Sequence, residues 1–239
     1  MIDVNEKQTK TKKTASIKNM SAIDKVYTQI KMLMYNQDLI PGQKLIYQDL
    51  ARRLNVSTTP ILQALHRLES AKLVRYEKNI GFFVAEITVK EAKELFEARK
   101  ALEIHNIPIL IDKITEKKIQ EIKEVFRSQE ADNESDNRRL LMLRDAAFHL
   151  TIAKVAGNQT IVELLQTILE RINLKHKPEY LGEKRIEKVL KEHRELLEAL
   201  RLKDTEKAIM LTQKHIQSGM EHMIENIKTY QVTDFLSEY

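Results

Sequence analysis

The stretch "YQDLARRLNVSTTPILQALHRLESAKLV", Tyr47–Val74, decides the fold of the first part of the chain. Leu50, Ala51 and Leu54 recur at helical spacing and make one short apolar face. Asn55 tolerates a left-handed backbone, so the first helix has a natural stop there. Ser57 can cap the next helix, and Pro60 falls within its first turn, where a missing N–H costs little. Ile61, Ala64, Leu65 and Leu68 then give that second helix its buried side. Two short helices across a tight turn, the second one capped, form a helix-turn-helix.

Upstream, Ser21 reads as an N-cap, and Ile23, Val26, Tyr27, Ile30, Leu33 and Met34 form a helical stripe that ends before the turn at Pro41-Gly42. Downstream, "LVRYEKNIGFFVAEI" (Leu73–Ile87) has β-prone runs on either side of Lys78–Gly81, the pattern of a hairpin. A helix-turn-helix followed by a hairpin is a winged helix, expected over residues 21–87. Residues 1–20 are polar and Lys-rich and read as a disordered basic tail.

Charge supports a polyanionic partner for this part. Residues 1–88 hold 14 Lys+Arg against 8 Asp+Glu, while the remainder holds 26 against 27, so all the excess positive charge of the +5 chain lies in the first third. The absence of cysteine excludes disulfides and thiolate metal sites. With no signal-like N-terminus and no long apolar run, the expectation is a soluble cytoplasmic protein without a membrane partner. Five Gly, four Pro and 31% charged residues favour helices.

From Thr88 the pattern is helical almost throughout. Helices are expected over Thr88–Asp112, with Pro108 bending or ending the regular part, then Thr115–Glu130, a loop at "ADNESDN", and a helix to Val155. Further helices follow over Gln159–His176, Glu183–Leu202 and Thr205–Thr229. The fold class is therefore mostly α: an N-terminal winged helix-turn-helix with a small β-hairpin wing, then an all-α antiparallel bundle over 88–230, with a C-terminal tail at 231–239. No phosphate-binding loop, dinucleotide fingerprint or nucleophile elbow occurs.

Within this bundle, polar residues interrupt apolar faces. In "RDAAFHLTIAKVAGN" (Arg144–Asn158), Asp145 and His149 share a side with Phe148, Ile152 and Ala156. His193 sits in the middle of the stripe Ile186, Val189, Leu190, Leu196 and Leu200, and His215 in the middle of Ala208, Leu211, Gly219, Met223 and Ile227. A single inward histidine is commonly a core group satisfied by a hydrogen bond. Three of them, with a carboxylate one turn before His149, make an O,N,N,N set suited to a divalent transition metal. His66, His105 and His176 have no such company; His222, seven residues after His215, could line the same pocket.

The order "PGQKL…DLARRLNVSTTPILQALHRLESAKLV…GFFV" resembles the DNA-binding domain of GntR-family bacterial transcription regulators over Pro41–Val84. The resemblance implies operator contacts from Ser57, Thr58, Thr59, Gln63, His66 and Arg67 on the recognition helix. It also implies backbone contacts from Arg52 and Arg53 and a wing at Lys78, Asn79 and Gly81. Gln48, Thr58 and Leu62 stand where relatives usually carry arginine, which implies a divergent operator. Residues 88–229, through "DAAFHLTIAKVAGN", "EHRELLEALRLKD" and "AIMLTQKHI", resemble the FCD effector domain of the FadR subgroup. That likeness places metal ligands at Asp145, His149, His193 and His215. The ion is then most often zinc, with nickel or manganese as alternatives, and a small carboxylate effector can complete its coordination. "FEARKALE" resembles the segment whose arginine faces the effector, here Arg99; Arg171 is a second effector candidate, and a salt bridge with Glu103 is the other reading of Arg99. The resulting expectation is a homodimeric regulator on a palindromic operator, read as a repressor with activation left open. A metal-dependent hydrolase, or a regulator with a purely structural metal, are the alternatives.

Overall fold

The computed structural model describes residues 21–132, 138–177 and 182–237. The chain divides into two compact units, Met1–Glu86 and Ile87–Tyr239. The basic tail 1–20 and most of the 131–137 loop lie outside the described residues.

The first unit runs α1 (Ala22–Tyr35), β1 (Lys44–Leu45), α2 (Tyr47–Leu54), α3 (Thr58–Ser70), β2 (Val74–Glu77) and β3 (Gly81–Val84). Ser21 Oγ accepts the Asp24 N–H at 3.1 Å and starts α1. Gly42 takes the Pro41 turn at φ +86°, with the Glu86 carboxyl 3.2 Å from where a Cβ would stand. α2 ends on Asn55 at φ 54°, ψ 49°, the left-handed stop. Ser57 occupies the N-cap position of α3 but makes no side-chain capping bond; it is exposed, so water can serve the first amides. The wing is a three-stranded antiparallel sheet in the order β1-β3-β2, with Val74 opposite Val84, Tyr76 opposite Phe82, and Lys44 opposite Phe83. β1 is an addition to the expected hairpin, and its two residues are too few to show an alternating pattern. Ile30, Ile61, Leu65, Leu68 and Val84 are fully buried and form the core that fixes α3 against the sheet, each worth about 1.5–3 kcal/mol.

The second unit contains α4 (Val89–Lys113), α5 (Glu116–Asp132), α6 (Arg138–Ala156), α7 (Gln159–Lys175), α8 (Glu183–Arg201) and α9 (Thr205–Ser237). Thr88, Asn158 and Asp204 cap α4, α7 and α9 by accepting the N–H three residues on, at 3.0–3.2 Å. α4 ends at Lys113, one residue past the expected Asp112, and stays helical through Pro108, because Ile107, Leu110 and Ile111 on that turn are buried and their packing outweighs one lost backbone bond. One expected boundary moves. α9 does not give way to a tail near Thr229 but continues to Ser237; no Gly or Pro follows Gly219 to stop it. No helix of the described residues is long and apolar enough to cross a membrane.

Of the three apolar clusters among the bundle's described residues, two are shared by α4 and α9. One includes Ile107, Leu110, Ile122, Phe126, Phe148 and Leu200; another gathers Leu95, Phe96, Ile172, Ile216, Met223 and Ile227. Both α4 and α9 pass from one cluster to the other, and polar residues mark the crossing: Arg99 and Glu103 on α4, His215 on α9.

The left-handed stop after α2 is directly testable. Asn55→Ala should cost the first unit about 1 kcal/mol, because alanine lacks the short polar side chain that lets asparagine accept the left-handed backbone, whereas Asn55→Gly, free of any Cβ, should be neutral or better. Hydrogen exchange of α2 and α3 amides in the full chain reads the difference.

Candidate functional site

Three helices converge at that crossing. α6 carries Asp145 and His149 one turn apart, α8 carries His193 and α9 carries His215, and one donor atom from each lies within 4.8 Å of all the others. The three imidazoles are buried, His193 completely. Nε2 of His215 stands 3.1 Å from Nε2 of His149 and 3.4 Å from Nε2 of His193. Asp145 Oδ1 is 3.3 Å from the His193 Nε2 and 3.9 Å from the other two.

The remaining ring nitrogens decide what these contacts mean. Nδ1 of His149 meets Glu103 Oε2 at 2.6 Å, Nδ1 of His193 meets Gln129 Oε1 at 2.8 Å, and Nδ1 of His215 meets Glu192 Oε2 at 2.9 Å. Carboxylate and amide oxygens accept, so each Nδ1 carries the proton and donates it. In the neutral rings the three Nε2 atoms are then bare lone pairs, crowded together beside a carboxylate. Such an arrangement is repulsive unless a cation sits among them. Two nitrogens each about 2.0–2.1 Å from one ion stand roughly 3 Å apart, which matches the spacing observed. Outer acceptors that fix the tautomer of each histidine are the usual support of a metal ligand. The residues present fit a divalent ion.

Protonation agrees. Burial, reinforced by His215, holds His193 well below its ordinary range. Burial also lowers His215, outweighing the opposing pull of Glu192, and neutral imidazoles are what ligation requires. Burial opposes ionisation of Asp145, yet the positive groups around it, the Arg99 guanidinium among them, hold its carboxyl below the ordinary range. Glu103 is likewise held at about 2 against its burial, by His149 and Arg99.

A cavity of about 100 Å³ opens beside this cluster. Asp145 and His215 are in its wall, whereas His149 and His193 are not. Arg99 also lines it. Its Nε donates to Glu103 Oε1 at 2.6 Å, and its Nη2, 3.9 Å from Asp145 Oδ2, is buried without a hydrogen-bond acceptor. Arg185 lines the cavity as well, donating from Nη1 to Ser218 Oγ at 2.7 Å.

In the first unit, Ser57, Thr58, Thr59 and Gln63 are exposed along the start of α3. A groove of about 700 Å³ between α3 and the wing is lined by Gln48, Leu62, His66, Tyr76 and Ile80 among others. Lys78 and Asn79 are exposed at the wing's turn, and Gly81 follows at φ +123°. The ring of His66 packs edge-on against Phe82, centroids 5.0 Å apart.

Residues 22–84 match the model described as "Bacterial regulatory proteins, gntR family", and residues 94–218 match the FCD domain. The chain belongs to the GntR family. It is a DNA-binding transcription regulator with an FCD effector-binding domain, and its relatives are regulators, not enzymes. This GntR regulator is 26% identical over 204 residues to the HTH-type transcriptional regulator YdhC of Bacillus subtilis (strain 168), covering 84% of this chain and 89% of YdhC. It is 24% identical over 196 residues to McbR of Escherichia coli (strain K12), covering 81% and 88%. The solved E. coli McbR/YncC superposes with a TM-score of 0.74 at 22% identity over 87% of this chain and 99% of that one. A GntR transcriptional regulator of Rhodococcus sp. RHA1 gives 0.75 at 19% identity, over 86% and 99%. At such identities the superpositions speak to the fold.

Within this GntR regulator the expected site residues separate. Asp145, His149, His193 and His215 come together, and Arg99 joins them at the cavity. The Arg99–Glu103 pair is present too, but buried rather than on the surface. Arg171 does not reach the cavity: it pairs with Glu91 at 2.5 Å, about 100° around α7 from Ile172, which does. Arg67 is exposed and lies along α1, where it pairs with Asp24 and stands 4.4 Å over the Tyr27 ring. Arg53 pairs with Asp38 at 2.9 Å, and Arg52, with its side chain 81% exposed, pairs with Asp49. Sequence reasoning missed Gln129 and Arg185, for which spacing gave no signal, and it missed His176, which lines the cavity together with His222. The His215–His222 spacing was the available clue to the second of these.

Burial, with help from His222 and Arg139, lowers His176 to about 4 from 6.5. As pH falls from 6.5 to 4, the unfolded chain takes up a proton that the folded chain refuses, so stability is lost over that window. The gap corresponds to about 3 kcal/mol at 1.36 kcal/mol per pH unit. Urea unfolding at pH 7 and pH 4 should therefore show a smaller acid loss for His176→Gln than for the parent chain, by an amount of that order.

Proposed function

We propose that this regulator senses a small organic acid at a metal ion bound by Asp145, His149, His193 and His215, and that the acid alters its grip on a palindromic operator. One observation carries the reading: the convergent donors reach the cavity through Asp145 and His215, with the buried, acceptor-less Nη2 of Arg99 beside them. A guanidinium donor of this kind is suited to a carboxylate oxygen. Zinc fits a buried set of three imidazoles and one carboxylate; nickel and manganese accept similar donors. When bound, the ion supplies a positive centre open to an anionic ligand, while Glu103, Gln129 and Glu192 keep the three rings oriented.

On the DNA side, one α3 presents a single half-site's worth of side chains, so a homodimer reading two half-sites suits the fold. Ser57, Thr58, Thr59, Gln63 and His66 are the base-edge candidates. Arg52, Arg53, Lys78 and Gly81 belong to backbone positioning, the role that sets register and affinity. With Thr58, Leu62 and Gln48 lacking guanidinium groups, sequence readout rests on amide and hydroxyl contacts. The acid changes operator affinity to the extent that it binds two arrangements of the paired winged helices unequally.

Metal analysis tests the sensor half. Protein purified without an affinity tag should carry about one transition-metal ion per chain, and His193→Ala and His215→Ala should each lose it. A chain that stays metal-free after reconstitution overturns the reading. For the DNA half, duplexes selected from a random library supply the probe. Arg52→Ala should weaken binding to all of them alike and lower the salt slope by about one, whereas Gln63→Ala should change the ranking among them.

A further inference from the structure

The cavity extends well past the metal-ready cluster. His215 and His222 both line it, seven residues apart on α9, which places them about 10 Å apart along the helix axis. Midway lies Gly219, where a Cβ would stand only 3.1 Å from the Phe96 ring and 3.4 Å from Arg185 Nη2. The missing side chain lets both groups face the cavity. Phe96, Ile172, Ile186 and Met223 make the walls of this middle stretch apolar.

The far end is polar again. His222 Nε2 lies 3.2 Å from the Asn226 side-chain nitrogen, which can only donate, so the His222 proton is on Nδ1. His176, at the C-cap of α7, and Asn173 line the same end. Arg139, which is buried, donates to the Asn173 carbonyl and adds a cation there. Among the described lining residues Asp145 is the sole carboxylate, against two guanidinium groups and three imidazoles. A cavity with guanidinium groups toward one end, imidazoles backed by the Arg139 cation at the other, and hydrocarbon between, matches a molecule that is anionic at both ends.

Resting on the reading of this cavity as the effector site, we propose that its occupant is an α,ω-dicarboxylate. One carboxylate is held at the Asp145, His215 and Arg99 end, and the other by His176 and His222, with a short methylene chain passing Gly219. The two histidines are thus specificity residues for the second carboxylate.

The test compares adipate with hexanoate, which match in length and differ only at one end, by calorimetry on the zinc-loaded full chain. Adipate should bind about tenfold or more tightly, the worth of a charge-assisted hydrogen bond. His222→Phe, keeping ring bulk without the N–H, should remove most of that preference. His222→Gln, which retains a donor, should restore part of it. Equal binding of the two acids by the parent chain overturns the proposal while leaving the effector site intact. So does a preference that survives His222→Phe and His176→Phe in proteins with parent-like circular dichroism. Binding of neither acid overturns the effector reading along with it.

Discussion

The Nδ1 protons of His149, His193 and His215 are committed to Glu103, Gln129 and Glu192, and the interior of the second unit is organised around that commitment. Each bond fixes a ring's tautomer and its orientation together, so three lone pairs are forced toward one point. The acceptors come from α4, α5 and α8, and the inward-facing donors from α6, α8 and α9. Five helices are therefore tied by one polar network. Buried polar groups are costly singly and stabilising when mutually satisfied. Glu103 illustrates the balance, since it accepts from His149 and from Arg99 at once, offsetting a buried guanidinium while holding an imidazole.

Placement of the network between two apolar clusters follows from helix length. α4 and α9 are long enough to contribute apolar side chains to both clusters, one on each side of the crossing, so the polar layer is held between them. Phe148 shows how close the two environments run: it is fully buried in one cluster and stacks on the His193 ring at 4.3 Å between centroids. The stacked ring restricts His193 from the side that its hydrogen bond to Gln129 does not reach.

Sequence and structure agree where a single helix carries the message. The spacing of Asp145 and His149, and the position of His193 and His215 within apolar stripes, were readable because periodicity alone says which side faces inward. The stop at Asn55 was readable because few residues adopt that backbone. What escaped depended on neighbours from other helices. Gln129 looks like any polar residue of an amphipathic helix until α8 brings His193 to it. Arg171 and Arg185 are equally plausible clamps in one dimension, and only the packing of α7 and α8 sends the first to Glu91 and the second to the cavity. Pro108 was misleading for a related reason, as a local rule about backbone bonds gave way to the burial of three side chains around it.

Glu192 and His193 are adjacent in sequence, yet they serve different rings: His193 is held by Gln129 from α5, while Glu192 reaches across to His215 on α9. This division has a consequence for biosynthesis. Chains emerge from the ribosome N-terminus first, and domains tend to fold as units in that order. The winged helix is complete once β3 has been made, whereas the last imidazole arrives only with α9, after every other member of the network. A nascent chain thus acquires its winged-helix fold before the network of His149, His193 and His215 can close, and during that interval Glu192 has no imidazole to accept from.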